Sequence, residues 1–574
     1  MTTSKVRQSG RATSASQTNP PATVPVVVVG GGPAGLFSAY LLARQGISSA
    51  IITRYPTRLG QPKAHAINPR TLEIFRQVGL DVNRLRSIGT SQKDGFWVRF
   101  NLGLADHELG KLPYERQDDA VKDVTPEPLF NISQPILEEF LEQAAISTGH
   151  VTIYAPWDWQ ALEIDAGKPV SVIRSRLDSS KVLQITSDYI IGADGSESTV
   201  RSAMANVQWH SPDTVERPKR FYCSIHASGD LTKAYHHRDR RGQLSFCFHP
   251  EHKAGLVIYH PTESWVHARV IDPVQEPLDS FTDARCEEVI RPCVGPDVDI
   301  TIQSVNQWYT WARVATTYSD PTHRVHLVGD AAHSFPPQGG LGINTGIADV
   351  HNLVWKAGLL LRSKSATLPP LLGTYTQERR PVAIANSVQS AHNEDIWAEF
   401  NMRVHKAVDL ISKHGGSFDD AKLKRHFDQD LALNKQHFDS LALQIGYIYD
   451  NALDPTKIRT DCGSYDPSSV VGARLPHAWL ADGRSTLDLV PENEFVVFHA
   501  ASSYAETTYQ FGASQITVRS VDVVKAGAPK SWLDIMRLES DGAVVVRPDQ
   551  HILAHVRGVN AALAAIDQYL KGIC

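Results

Sequence analysis

RVHLVGDAAHSFPPQGGLGINTGIADVHNLVWKAGLLL, the stretch from Arg324 to Leu361, joins a short strand to a helix through a loop rich in glycine and proline. The first five residues suit a strand, which Gly329 and Asp330 end. From Asn344 onward apolar residues recur at helical spacing, and basic residues stand toward the end. A helix that begins after such a loop turns unpaired amides and the positive end of its dipole toward the loop. The stretch therefore predicts an anion-binding site lined by backbone.

A second glycine-rich turn lies near the start of the chain. The apolar run from Val26 to Val29 predicts a strand, the letters GGGPAG follow at residues 30–35, and a helical pattern comes next. This is G-x-G-x-x-G in the strand–turn–helix context that binds a dinucleotide pyrophosphate. An ordinary strand-to-helix connection would explain either turn alone, but two in one chain favour a dinucleotide. The cofactor-binding residues predicted in this turn are Gly30, Gly32, Ala34 and Gly35.

Three motifs together resemble the signatures of FAD-dependent aromatic monooxygenases. They are GGGPAG, DYIIGADGSESTVR at residues 188–201 and GDAAHSFPPQGGLGIN at residues 329–344. Three further segments resemble the phenol hydroxylase and chlorophenol monooxygenase branch: KAHAINPRTLEIF (63–75), LQIGYIYD (443–450) and GARLPHAWLADGRSTLDL (472–489). The motifs stand in the family's order and spacing, over about residues 24–560.

The resemblance implies an α/β fold with a GR2-type, Rossmann-like FAD-binding domain, an inserted and mainly antiparallel substrate sheet, and a thioredoxin-like C-terminal domain. It predicts the FAD-binding domain at 24–210 and 316–400, the substrate sheet at 211–315, a helical connection at 401–460 and the C-terminal domain at 461–574. Residues 1–23, rich in Ser, Thr, Gln and Pro, predict a disordered tail. The C-terminal domain lacks a C-x-x-C pair, so we expect it to serve packing and dimerisation.

The resemblance also implies which further residues hold FAD. Thr53 ends the predicted second strand, where an acidic residue commonly binds the ribose, and Arg54 follows it, so this chain departs from the pattern. Lys63 lies on a segment that passes beside the flavin in related enzymes. Gln134 corresponds to a glutamine on the ribityl chain there, with helix capping as the structural alternative. The remaining predicted contacts are Asp330 for the ribityl or phosphate region, and Gly340, Gly342, Ile343 and Asn344 for the flavin ring and its N1–C2=O edge.

Catalytic and substrate contacts come from separate segments. His65 sits where phenol hydroxylases carry an acidic group that helps to deprotonate the phenol. An unperturbed pKa near 6.5 suits a base, although a structural role is the alternative. Pro337 stiffens the loop that borders the substrate ring. Tyr222 and His226, on a predicted strand, are expected pocket residues; ordinary sheet packing is the alternative, because the sequence does not show which face points inward.

Length and composition limit the class of protein. A chain of 574 residues suggests two or three domains, and a net charge of −5 predicts no nucleic-acid or anionic-membrane partner. The apolar run of residues 24–43 is interrupted by GGGPAG, so it predicts no membrane span. Six scattered cysteines without metal-ligand spacing predict free thiols, no metal site and a reducing, cytoplasmic location. We also expect a homodimer.

The resemblance implies a reaction as well as a fold. The expected enzyme is an FAD-dependent monooxygenase that uses NADPH or NADH and O2 to hydroxylate a phenolic or related aromatic substrate, including decarboxylative or dearomatising reactions. It would work through a C4a-hydroperoxyflavin in a dry pocket. The alternatives are a flavin epoxidase or oxidase with a non-aromatic substrate, and a non-catalytic FAD-fold protein that binds prenyl or protein cargo. The intact glycine-rich loop favours an enzyme over a cargo protein.

Overall fold

A computed structural model describes residues 14–16, 18–57, 60–212, 217–236, 239–250, 252–363, 370–413, 420–449, 461–500, 505–539 and 542–572. The strands, in chain order, are β1 (Thr23–Val29), β2 (Ser49–Ile52), β3 (Ala66–Ile67), β4 (Trp97–Asn101), β5 (Glu108–Pro113), β6 (Phe130–Asn131), β7 (Val151–Tyr154), β8 (Trp157–Asp165), β9 (Lys168–Ser175), β10 (Val182–Gly192), β11 (Trp209–His210), β12 (Arg220–Ser228), β13 (Leu244–Phe248), β14 (Lys253–His260), β15 (Ser264–Val270), β16 (Thr301–Thr310), β17 (Arg313–Ala315), β18 (Val325–Leu327), β19 (His333–Ser334), β20 (Phe495–His499), β21 (Thr507–Phe511), β22 (Ser514–Asp522), β23 (Gly542–Val546) and β24 (Ile552–Arg557). The α-helices are α1 (Pro33–Arg44), α2 (Pro69–Gln77), α3 (Val82–Ser87), α4 (Gln92–Gly95), α5 (Gln134–Ser147), α6 (Thr199–Ala203), α7 (Asp283–Val294), α8 (Gly342–Ser363), α9 (Gly373–Lys413), α10 (Asp420–Leu433), α11 (Leu441–Ile445), α12 (Lys530–Met536) and α13 (Val559–Leu570).

The first sheet carries the dinucleotide turn. Its order is β7-β2-β1-β10-β9-β8, and β18 also pairs with β10. The central strand β1 is parallel to both β2 and β10, and Val26, Val27 and Val28 are fully buried. Continuous apolar strands are typical of parallel sheets that are covered on both faces. Since β1 ends at Val29 and α1 begins at Pro33, the predicted strand–turn–helix unit is confirmed.

The second sheet is larger than the predicted substrate sheet. Its order is β16-β12-β15-β14-β13-β4-β5, with antiparallel neighbours except for the parallel pair of β13 and β4. The predicted range 211–315 therefore omits β4 and β5, which the prediction assigned to the first half of the FAD-binding domain. The pairing of Val98 with Leu244 joins strands that are distant in sequence, so no local pattern indicates it.

The C-terminal sheet has the order β21-β22-β20-β23-β24. Strands β20 and β22 are parallel, whereas β23 is antiparallel to both β20 and β24. Helix α12 connects β22 to β23, and α13 follows β24. This mixed sheet with its two helices agrees with the predicted thioredoxin-like domain.

Two predicted segments lie partly outside the described residues. Helix α9 runs continuously past residue 400, the predicted end of the FAD-binding domain, and residues 414–419 and 450–460 of the predicted connection lie outside the described ranges. Residues 1–13 and 17 of the predicted disordered tail also lie outside them. The described part of that tail is attached to the first sheet, because Ser16 N donates to Ile153 O at 2.8 Å and Ser14 N donates to Glu142 Oε1 at 2.8 Å.

Candidate active site

A single continuous cavity of about 1100 Å³ lies between the first and second sheets. The GGGPAG turn lines one part, and residues 329–341, here named the flavin loop, contribute to the middle. Aromatic side chains of the second sheet line the other part. The two glycine-rich turns, about 300 residues apart in the sequence, thus contribute to the same site. A cavity that joins a dinucleotide turn to an aromatic pocket can hold a cofactor and a substrate together.

The three glycines of the G-x-G-x-x-G motif, Gly30, Gly32 and Gly35, have different surroundings. A Cβ on Gly30 would lie 2.2 Å from Ala193 O, and one on Gly35 would lie 2.0 Å from Gly30 O. These two glycines let the backbone of α1 and its turn pack against the sheet. A Cβ on Gly32 would meet no described atom within 4 Å. Because Gly32 lines the cavity, that open space is where a pyrophosphate can approach the backbone.

The flavin loop ends at the N-terminus of α8. The first helical backbone bond runs from Thr345 N to Leu341 O at 2.9 Å, so the amides of Gly342, Ile343 and Asn344 precede it. Such amides, at the positive end of a helix, bind anionic groups. Gly340 adopts a φ of +62°, which favours glycine, and it lines the cavity together with Gly342 and Ile343.

The side chain of Asn344 does not line the described cavity, so its predicted contact with the flavin rests on its backbone amide. Its amide nitrogen donates to Ala66 O at 2.9 Å and to Gly340 O at 2.8 Å. Its amide oxygen accepts from Asn68 N and from the hydroxyl of Thr71, at 3.0 and 2.8 Å. With these four bonds, the Asn344 side chain connects the flavin loop to α2.

Asp330 lies deep in the molecule but is exposed to the cavity. Desolvation by the surrounding protein raises the pKa of Asp330, while His333 and Lys63 lower it. The loop beside it is held by Asp349, which the sequence reasoning missed. The Asp349 carboxylate accepts from Gly329 N at 3.2 Å, from His333 Nε2 at 2.6 Å and from Arg379 Nε at 2.9 Å.

The remaining predicted cofactor residues lie around the same cavity. Thr53, Arg54, Lys63 and Gln134 all line it. Arg54 also forms an ion pair with Asp158 at 3.5 Å. Gln134 accepts from Ala64 N at 3.3 Å, so it orients the segment that bears Lys63 and His65.

His65 lines the cavity directly before β3. Its Nδ1 lies 3.0 Å from Asn131 Oδ1; a bond donated by Nδ1 leaves the lone pair on Nε2. Burial lowers the pKa of His65 to about 4, although the bond to Asn131 raises it. The ring is therefore neutral at physiological pH, and the expected pKa near 6.5 is wrong for this environment. A neutral imidazole can accept a hydrogen bond from a substrate hydroxyl.

Of the two predicted substrate residues on β12, only Tyr222 lines the cavity. Its ring stacks on Trp308 with centroids 4.5 Å apart, and its hydroxyl donates to Glu394 Oε1 at 3.3 Å. His226 lies farther along the strand and does not line the described cavity; its Nε2 hydrogen-bonds the hydroxyl of Ser264 at 3.0 Å. Pro337 lines the cavity as predicted from its loop position. Further lining side chains that the sequence reasoning missed are Phe246, Phe248, Tyr259, Trp308, Trp397 and His437.

These features fit FAD. The space at Gly32 admits a pyrophosphate, and the first turns of α1 and α8 contain no acidic residue that would repel it. A Cβ on Gly342 would likewise meet no described atom within 4 Å, so bare backbone faces the cavity at the start of α8. FAD would therefore be bound by the GGGPAG turn at one end and by the flavin loop and the α8 amides at the other.

Comparison with known proteins identifies the family. Residues 23–390 match the family described as FAD binding domain, and residues 468–572 match that described as aromatic-ring hydroxylase, C-terminal. The chain belongs to the FAD-dependent aromatic-ring hydroxylases. Within this hydroxylase, the two matched segments contain the cavity's FAD-binding side and the thioredoxin-like sheet.

Individual relatives of the hydroxylase span nearly its whole length. It is 27% identical to phenol 2-monooxygenase of Pseudomonas sp., over 96% of this chain and 92% of that protein. It is 28% identical to tetracenomycin B2 monooxygenase-dioxygenase of Streptomyces olivaceus, over 92% and 94%. The crystal structure of the flavin-dependent monooxygenase PieE with FAD and substrate aligns with a TM-score of 0.81, at 25% identity, over 96% of this chain and all of that one. Among the described helices of the hydroxylase, none combines the length and apolar character that a membrane span needs.

Proposed function

We propose that this hydroxylase uses NADPH or NADH and O2 to insert one oxygen atom into a phenolic substrate, with His65 as the acceptor of the phenol hydrogen bond. The supporting observation is the shared cavity: His65, Tyr222 and the flavin loop line the same space as the dinucleotide turn. Phenol 2-monooxygenase and a tetracenomycin monooxygenase are among the relatives, which agrees with an oxygenated phenolic ring.

The chain's own residues would supply position and electrostatics. Bound FAD would supply reducing equivalents and activated oxygen, chemistry that side chains do not provide. The amides of Gly342 to Asn344 would stabilise negative charge on the reduced ring edge. His65 Nε2 would accept a hydrogen bond from the substrate hydroxyl and so raise the electron density of the substrate ring. Asn131 would keep the imidazole oriented through its bond to Nδ1.

The aromatic part of the cavity would exclude water from the reacting ring. Phe246, Phe248 and Trp397 pack together, with the Phe246 and Trp397 centroids 4.2 Å apart and those of Phe248 and Trp397 5.9 Å apart. These rings offer apolar surface for a flat substrate, and Tyr259 lies 6.1 Å from the His65 ring. A substrate hydroxyl near His65 would then be the one polar group placed in largely aromatic surroundings.

The proposal is tested with the purified flavoprotein, NADPH or NADH, and panels of phenols and hydroxybenzoates. We expect an active substrate to accelerate nicotinamide oxidation and to gain 16 mass units, or 18 under ¹⁸O2. Comparing the two nicotinamides also determines which is used. Nicotinamide oxidation that yields only hydrogen peroxide with every aromatic compound, or oxygenation confined to non-aromatic alkenes, would contradict the proposal.

Two further properties are proposed together with this activity. We expect a homodimer, which light scattering of the purified protein at several concentrations will measure. We expect a cytoplasmic location, which fractionation of the native cells with an antibody against the chain will measure.

A further inference from the structure

The C-terminal turn, residues 547–551, is buried against the FAD-binding domain. Arg70 of α2 donates to Gln550 Oε1 at 2.7 Å and to Asp549 O at 2.8 Å. Gln550 Nε2 donates in turn to Leu487 O at 3.0 Å. All three residues, Arg70, Asp549 and Gln550, are at most 2% exposed, so these hydrogen bonds form away from solvent. Buried polar groups lower stability unless they are hydrogen-bonded, so these bonds favour one particular position of the turn against α2.

The same turn contacts two further helices of the FAD-binding domain. Glu378 of α9 accepts from both terminal guanidinium nitrogens of Arg547, at 2.6 and 2.9 Å, and from Lys356 of α8 at 2.7 Å. Asn352 of α8 donates to Glu378 at 2.7 Å and to Asp549 Oδ2 at 3.2 Å. The C-terminal turn is therefore bonded, directly or through one carboxylate, to α2, α8 and α9.

These three helices also hold the flavin loop. Helix α8 begins where the loop ends. Helix α2 and its N-cap residue, Asn68, hold Asn344, which binds Gly340 O of the loop. Helix α9 carries Arg379, which bonds Asp349, and Asp349 accepts from Gly329 N at the start of the loop. A movement of the C-terminal turn would be transmitted to both ends of the flavin loop through these bonds.

The backbone of the turn supports a specific role. Gln550 has a φ of +63°, a left-handed conformation that costs free energy in a non-glycine residue. Glycine would adopt this conformation without that cost, yet it would lack both side-chain hydrogen bonds. The chain thus retains a strained residue whose side chain reaches Arg70 and Leu487.

We propose that Arg547, Asp549 and Gln550 are positioning residues of the FAD site, and that the C-terminal turn holds α2, α8 and α9 in the arrangement that binds FAD. The C-terminal domain thereby acts on a cofactor that it does not contact, since no residue after 437 lines the described cavity. Preorganisation of a site raises affinity because less ordering remains to be done on binding. The effect is reciprocal: FAD binding must stabilise the turn by the same factor by which the turn favours FAD.

The first test is the Gln550→Gly variant, which removes the strain and both side-chain bonds. We expect the apoprotein to melt near the wild-type temperature, because lost bonds and relieved strain offset each other. FAD should bind about tenfold more weakly in a fluorescence titration. The matched control is Glu492→Gln, which removes another interdomain contact, the 2.7 Å ion pair to Arg44 at the far end of α1. The control should bind FAD as the wild type does.

The second test needs no variant. Hydrogen exchange of the wild-type apoprotein is compared with and without saturating FAD. The amides of Arg547 and Gln550, bonded to His551 O and Arg547 O, should exchange several-fold more slowly with FAD. The hairpin of β21 and β22 in the same domain should exchange at an unchanged rate. Equal exchange at residues 547–551, or equal FAD affinity in Gln550→Gly and the wild type, would overturn the proposal. These outcomes concern FAD affinity alone, so they are distinct from failure to oxygenate a phenol.

Discussion

Two glycines of the dinucleotide turn, Gly32 and Gly35, should respond differently to alanine. Gly32 has φ −80° and ψ −178°, which alanine adopts, and an added Cβ would meet no described atom within 4 Å. Gly32 is the N-cap of α1, a position where alanine stabilises a helix less than glycine does. Alanine also lowers the backbone entropy of the unfolded chain, which stabilises the folded protein by about 0.4–1 kcal/mol. The two effects oppose each other, so the free energy of unfolding of the Gly32→Ala apoprotein should change by less than about 1 kcal/mol.

FAD affinity of the same variant should fall sharply. The new methyl group would occupy the space through which the pyrophosphate approaches the amides of the turn. Loss of one charge-assisted hydrogen bond costs about 1.5–3 kcal/mol. At 1.4 kcal/mol per tenfold, that corresponds to roughly 10- to 100-fold weaker binding. In Gly35→Ala, by contrast, the Cβ would lie 2.0 Å from Gly30 O, so α1 must move away from the sheet. Overpacking of this kind costs about 1–3 kcal/mol before any cofactor is added.

The assay uses apoprotein from each variant. Thermal melting reports stability, and quenching of FAD fluorescence reports the dissociation constant. Gly32→Ala should melt like the wild type and bind FAD weakly, whereas Gly35→Ala should melt at a lower temperature. Wild-type FAD affinity in Gly32→Ala would refute the placement of the pyrophosphate. If Gly32→Ala melted at a temperature as low as Gly35→Ala does, the space beside Gly32 would not be open.

Three further perturbations follow from the site. His65→Asn should lower kcat about 100-fold while FAD remains bound, because the shorter asparagine places no acceptor where Nε2 would meet the phenol; unchanged kinetics would remove His65 from the mechanism. Asp330→Ala should lose FAD during purification, and full flavin occupancy, read from the absorbance at 450 nm against protein, would contradict its role. Burial lowers the pKa of His65, His326 and His551 to about 4, so the unfolded chain binds their protons near pH 6.5 and the folded chain does not. The urea midpoint should therefore fall as pH falls from about 6.5 to 4, and equal midpoints at pH 6.5 and 4.5 would contradict this sign.

The parts of the site that the sequence predicted are those with local chemistry. A strand, a glycine turn and a helix start are adjacent in the chain, so Gly30 to Gly35 and the flavin loop are recognisable without a fold. Residues of the substrate sheet are not, because position along a strand decides what a side chain contacts. Tyr222, Ser224 and His226 lie on the same face of β12. The cavity is lined by Tyr222 and Ser224 but does not reach His226. Alternation predicts the face, but not where the cavity ends.

The pKa of His65 was unpredictable for a related reason. The sequence identifies an imidazole, whereas its pKa depends on burial between segments that are far apart in the chain. Asn131 and the rings of Tyr114 and Tyr259 surround it, with those two ring centroids at 5.7 and 6.1 Å. A weak, neutral base at pKa about 4 is better suited to accepting a hydrogen bond than to holding a proton. In a plot of kcat against pH, the fall on the acid side that comes from protonation of His65 should accordingly lie near pH 4.

The sequence of helix α8 places charged and polar residues among apolar ones. Asp349, Asn352 and Lys356 occupy a helix that is rich in apolar residues, including Leu359 to Leu361 near its end at Ser363. Lys356 suggested a basic last turn, but the structure shows it fully buried and bonded to Glu378. Charged groups inside a buried helix must have partners, because an unpaired buried charge is very costly. The sequence could therefore have predicted that partners exist, although only the fold shows that they reach the C-terminal turn.

Different residues therefore identify the cofactor and set its affinity. The groups expected to touch FAD lie mainly in two short motifs, and these suffice to identify the cofactor. The bonds that keep those motifs in place include Arg70 to Gln550, which are 480 residues apart, and Arg547 to Glu378. A substitution in the C-terminal turn leaves both motifs intact while loosening the helices behind them. If a relative with intact glycine motifs binds FAD weakly, we expect the cause to be a substitution in this turn rather than in the cavity.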